Sequence, residues 1–108
     1  MRNWQDVTAQ FMLDLLENGQ IAANQLIDVR EEFEWDYYHL ETSVLIPMNT
    51  IPNRLNELMD TKPIYIVCAH GVRSAAVCEY LEKQGYSSLH NVTGGMAAIA
   101  SLQGFQYD

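Results

Sequence analysis

Apolar and polar positions along this chain fall into short blocks, alternately strand-like and helix-like, and turn residues separate them. Residues Ala9 to Glu17 carry apolar side chains at helical spacing, with Thr8 placed to cap the helix and Asn18-Gly19 to stop it. Leu26-Ile27-Asp28-Val29 reads as a short apolar strand. Glu31 to Tyr38 predicts a short helix whose acidic first turn suits the positive end of the helix dipole. Val44-Leu45-Ile46 predicts a second strand ended by Pro47, and Pro52 is placed to open a helix running through Met59. Ile64-Tyr65-Ile66-Val67 is apolar without a break, the pattern of a strand buried on both faces. A helix over Val72 to Gln84 follows and ends at Gly85. Leu89-His90-Asn91-Val92 is the last predicted strand, and Gly94-Gly95 turns into a final helix, Met96 to Leu102.

Strands alternating with helices of about ten residues imply βαβ units and a parallel sheet. Sites in such sheets form at the carboxyl ends of strands. Cys68 follows Val67 at such an end, and Asp28 with Arg30 stands at another. No repeat, low-complexity run or linker interrupts the pattern, so residues 1–108 are expected to form one domain, with a monomer as the default.

Composition narrows the classes. At 48% hydrophobic and 19% charged residues the chain reads as an ordinary globular protein. No apolar run approaches the about 20 residues needed to span a bilayer, and the first residues lack a signal-peptide core, so a cytoplasmic location is expected. Net charge is −8, and the six Lys and Arg residues are scattered, which argues against nucleic-acid binding. An anion that binds such a chain must be held by local donors. Cys68 and Cys78 form neither a CxxC nor a zinc pattern, and their expected places before and inside one helix are too far apart for a disulfide. Reduced thiols are expected, with no metal or cofactor.

The chemistry concentrates in Cys68-Ala69-His70-Gly71-Val72-Arg73-Ser74. A strand that ends on cysteine, a tight turn through glycine and a helix start would aim backbone N–H groups and the positive end of a helix dipole at the sulfur. A thiol held there is stabilised as the nucleophilic thiolate. Gly71 supplies the conformational freedom of the turn.

Four blocks then stand in order. Leu26-Ile27-Asp28-Val29-Arg30-Glu31 matches an L-I-D-V-R-E pattern, and His39 follows Asp28 by eleven residues where G-H-I is usual. Cys68 to Ser74 fits C-x-x-G-x-R-S, and Asn91-Val92-Thr93-Gly94-Gly95-Met96 is close to L-x-G-G-I/M. Together they resemble the single-domain rhodanese-like sulfurtransferase family over nearly the full chain. The resemblance implies an α/β fold, a mostly parallel five-stranded sheet with helices on both faces. It also implies that Cys68 takes a sulfane sulfur from thiosulfate or another persulfide donor, holds it as a persulfide and passes it to a thiol or cyanide acceptor. Ala69, His70, Gly71, Val72, Arg73 and Ser74 would line the substrate, supported by Asp28 and Arg30. A protein sulfur donor or acceptor is a further expected partner. Tyr38, Thr42, Ser43 and Ile99 depart from the family pattern at the rim, which leaves the acceptor open.

Loop length bears on the reaction. Tyrosine-type phosphatases use Cys-x5-Arg, whereas four residues separate Cys68 from Arg73 here. By the resemblance, the shorter loop suits one terminal sulfur better than a phosphoryl group. A sulfur-carrier module with little free-standing activity is the alternative, ahead of a small phosphatase or arsenate reductase and of a silent binding domain.

Other residues have plainer readings. Arg73 either binds substrate or pairs with a carboxylate near the helix start. Asp28 and Arg30 read as an ion pair or hydrogen-bonded brace, Cys78 as core, and His39 as a scaffold histidine. Gly94-Gly95 lacks a phosphate-binding context and reads as a turn.

Overall fold

The computed structural model describes residues 2–107. Five strands pair in the order β1-β5-β4-β2-β3, where β1 is Gln5–Val7, β2 Leu26–Asp28, β3 Val44–Leu45, β4 Ile64–Val67 and β5 Leu89–Val92. All four pairings are parallel, so the expected mostly parallel sheet is parallel throughout. Among the described residues the α-helices are α1 Ala9–Glu17, α2 Glu32–Tyr37, α3 Val72–Lys83 and α4 Gly95–Leu102. Among the described residues, no helix is long and apolar enough to cross a membrane.

Alternation along β4 explains its unbroken apolar run. Ile64 and Ile66 pack with Val77, Cys78 and Leu81 of α3 on one face of the sheet. Tyr65 and Val67 pack with Met12 and Leu13 of α1 and with Met96 and Ile99 of α4 on the other. Cys68 continues the first series and is buried in the α3 layer. The crossover from β2 through α2 leads outward to β3, while that from β4 through α3 leads the opposite way to β5. The crevice between the carboxyl ends of β2 and β4 is therefore a topological switch point, where α/β sheets place ligands.

Two elements differ from the pattern-based expectation. The helix expected from Pro52 to Met59 is replaced by two short 3₁₀ segments, Met48–Asn53 and Leu55–Glu57. Pro52 lies near the end of the first instead of opening a helix, and Arg54, at φ −125° and ψ 22°, breaks the run. The Tyr86 hydroxyl lies 2.9 Å from both the Leu55 and the Leu58 carbonyl oxygens, shares its one proton between them and holds the second turn against the core. Strand β1 had no signal in the pattern, because Gln5 and Asp6 are exposed and only Val7 is partly buried. It is an edge strand recruited by backbone pairing to β5, with Asp6 opposite Asn91. The capped α1 forms as expected, with Thr8 Oγ1 accepting from the Phe11 N–H at 3.0 Å.

Candidate active site

The loop after β4 wraps the Cys68 sulfur. Gly71, at φ +103°, turns the chain so that its N–H donates to Cys68 Sγ at 3.0 Å, and α3 starts at the next residue. The Ser74 hydroxyl, in the first turn of α3, lies 3.3 Å from the same sulfur. Burial pushes the Cys68 thiol up, but hydrogen bonding with the Ser74 hydroxyl and with the N–H groups of Ser74, Gly71 and His70 outweighs it and holds the thiol below its ordinary value. Cys78 shows the contrast. Buried in the core without such donors, it is pushed up to about 12. Both thiols are free.

The loop's carbonyls face the other way, onto α4. Met96 N–H donates to the Cys68 carbonyl at 2.8 Å and Ala97 N–H to the Ala69 carbonyl at 3.0 Å. Gly94-Gly95 is thus more than a turn: it brings the first N–H groups of α4 against the loop backbone. Ser74 also donates to Asn91 Oδ1, and Asn91 Nδ2 donates to Asp6 Oδ1 at 3.0 Å and to the Gly71 carbonyl at 3.4 Å. Sequence reasoning missed Asn91, which lies inside a strand block with no local mark of its role.

The remaining loop residues divide. Ala69 is buried, His70 is exposed at the mouth, and Val72 turns its side chain to solvent, 79% exposed, leaving its backbone as its part of the loop. Arg73 has the carboxylate partner that sequence reasoning left open: both Nη atoms grip Glu34 of α2, at 2.7 and 2.8 Å. The Arg73 bonds hold the Glu34 carboxyl at about 2, against burial, which acts the other way.

Asp28 and Arg30 form a buried pair at 2.8 Å. Arg30 is fully buried and also donates to the carbonyls of Glu34 (3.2 Å) and Tyr38 (2.6 Å) and to the Tyr107 hydroxyl (3.0 Å). Burial disfavours the Arg30 charge, yet Asp28 overcomes this and the guanidinium is raised. The pair ties the middle of α2, the residue that follows it and the Tyr107 hydroxyl together. His39 stacks on Trp35 at 3.8 Å and bonds the Trp35 carbonyl at 2.7 Å, away from the sulfur. Beside the loop opens a hollow of about 460 Å³ walled by Phe33, Glu34, Tyr37, Ala69, His70 and Tyr107.

Comparison with known proteins agrees with this architecture. Residues 8–102 match the rhodanese-like domain model, and the chain belongs to that family. A rhodanese-like domain protein from Staphylococcus aureus superposes with a TM-score of 0.81 at 40% identity, covering 88% of this chain and 90% of that one. The putative sulfurtransferase YtwF of Bacillus subtilis is 41% identical over 73 residues, 68% of this chain and 70% of that protein. The putative sulfur carrier protein YrkF of the same organism is 38% identical over 71 residues, 66% of this chain. The chain spans 38% of the length of YrkF and 56% of that of the uncharacterized B. subtilis protein YqhL.

Proposed function

We propose that this domain is a sulfurtransferase that carries a sulfane sulfur on Cys68. The observation that carries the reading is the arrangement around Cys68 Sγ, with Gly71 N–H at 3.0 Å and the Ser74 hydroxyl at 3.3 Å at the start of α3. These donors stabilise negative charge on sulfur in a buried site, where preorganised N–H groups act most strongly. The Cys68 thiolate attacks the outer sulfur of thiosulfate or of a persulfide, the S–S bond of the donor breaks, and sulfite or a thiolate leaves. The resulting Cys68 persulfide then yields its terminal sulfur to cyanide or a thiol and regenerates the thiolate. This is covalent catalysis in two halves and gives ping-pong kinetics. In this reading Ala69 to Ser74 form the binding loop, with Asp28 and Arg30 bracing it.

A carrier role, with the same loading but negligible turnover, is the second reading. It is favoured by the relative named as a putative sulfur carrier and by the near-complete burial of Cys68, 1% exposed. Incubation with thiosulfate or a persulfide, followed by intact mass and cyanide-dependent thiocyanate release, separates the two. A one-sulfur gain that cyanide removes catalytically supports transfer; stoichiometric loading alone supports the carrier. Absence of loading in a folded protein overturns both.

A further inference from the structure

Resting on the sulfurtransferase reading, we propose that the mouth beside Cys68 receives sulfur from a persulfide on a protein cysteine flanked by basic residues, and that Glu34 biases the site against small dianions such as thiosulfate. The loop amides can hold one anionic sulfur, as they hold Cys68 Sγ now. The rest of a donor would extend past Ala69 and His70, the two loop residues that wall the hollow. For thiosulfate that part is the trioxide end, which departs as doubly charged sulfite and needs cationic stabilisation.

The two arginines at this end of the sheet are already engaged. Arg73 is held by both oxygens of Glu34, at 2.7 and 2.8 Å. Arg30 directs its side-chain N–H groups to the Asp28 carboxylate, two carbonyls and the Tyr107 hydroxyl, and is fully buried. Among the described residues, His70 is the one basic side chain on the wall of the hollow.

What the mouth does present is apolar surface edged with negative charge. Phe33 and Tyr37, one turn apart on α2, line the hollow and are 73% and 52% exposed. Residues at this spacing share a helix face. Glu32 and Asp36, likewise one turn apart, are exposed on the adjoining face, in a chain of net charge −8. A cationic, partly apolar segment around a donor cysteine is attracted by both features, whereas a free dianion is repelled.

The step balances without a redox partner. Cys68–SH and R–S–S⁻ give Cys68–S–S⁻ and R–SH: a new S–S bond forms at Sγ, and the bond from the R–S sulfur to the transferred sulfur breaks. Its electron pair stays on the R–S sulfur, which ends with the Cys68 proton. The new persulfide anion lies among the loop amides.

The test compares single-turnover loading of the full chain, read by acid quench and intact mass. Three donors are used: thiosulfate, a cysteine-persulfide peptide flanked by Leu and Lys, and the same peptide with Glu for Lys. The Lys peptide is expected to load about tenfold faster than either alternative at low salt. High salt should narrow the gap between the peptides. Glu34→Gln should raise the thiosulfate rate several-fold, because Arg73 is released. The double variant Glu32→Lys/Asp36→Lys, confined to exposed side chains, should bring the two peptides to similar rates. Equal rates for the two peptides, or a thiosulfate rate matching the Lys peptide, overturn the proposal and leave the sulfurtransferase reading standing. Loading by none of the three removes that reading itself.

Discussion

Gly95 lies so close to the backbone of the Cys68 loop that a Cβ on it would sit 2.4 Å from the Cys68 carbonyl oxygen and 2.6 Å from that of Ala69. Its φ of +58° is also one that L side chains rarely adopt. The close approach lets Met96 and Ala97 bond the loop carbonyls, which turns the opposite, N–H face of the loop toward Sγ. Gly95→Ala must push α4 off the loop, because the atoms it meets are backbone. Overpacking together with the left-handed backbone is expected to cost about 2–4 kcal/mol. A thermal melt should show the loss. Loading of Cys68 should fall further than stability alone explains under conditions where the variant is fully folded.

The two cysteines should behave oppositely. Cys68→Ser is expected to fold normally and take up no sulfur by intact mass. Cys78→Ala should keep loading while losing about 1 kcal/mol from a small core deletion, measured by urea unfolding. Sulfur found on Cys78 in the Cys68→Ser variant would move the chemistry out of the loop.

Legibility in the sequence followed the range of the forces involved. Strand β4 announced itself because both of its faces are buried, and the loop because cysteine, glycine and a helix start are adjacent along the chain. Strand β1 did not, since two of its three side chains face water and its support is pairing with a strand more than eighty residues away. The proline rule misplaced a helix from Pro52 to Met59 because it is local, whereas Tyr86 reaches over from beyond α3 to bond the second 3₁₀ turn. The same limit hid the partners of the site. Glu34 is 39 positions from Arg73, and Asn91 is 17 from Ser74. Nothing short-range links them; only the parallel topology does.

Glu34 makes a pH prediction with a definite sign. Its carboxyl is held at about 2, first by the Arg73 hydrogen bonds, against an ordinary value of 4.5. The unfolded chain therefore binds this proton before the folded one does. The stabilisation is complete above pH 4.5 and is lost as the pH falls from there toward 2. With Arg73 one-third exposed, solvent screening leaves about 1 kcal/mol of this. Urea midpoints across that interval should fall less steeply for Glu34→Gln than for the parent. Identical slopes would show that the bridge contributes nothing to the linkage.

Ser74 has one hydroxyl proton and two neighbours that compete for it. Its donation to Asn91 Oδ1 leaves the Cys68 thiol to donate to Ser74 Oγ, at 3.3 Å. Asn91 is fixed in this orientation because its Nδ2 faces the Asp6 carboxylate and the Gly71 carbonyl, which only accept. Forming the thiolate requires the Ser74 proton to swing to sulfur and abandon Asn91. Asn91→Leu removes the competitor, so the thiolate should become easier to form, by about 1 kcal/mol or roughly fivefold in the thiolate-to-thiol ratio at a fixed pH. Ser74→Ala removes the donor and should shift the balance the other way by a similar amount. Ultraviolet absorbance of the thiolate as a function of pH reads both variants, and Cys78, pushed up to about 12, stays silent over the interval that matters. A merely structural role for Asn91 predicts lower stability with no displacement of the Cys68 titration; displacement toward lower pH is the signature of a positioning residue acting through Ser74.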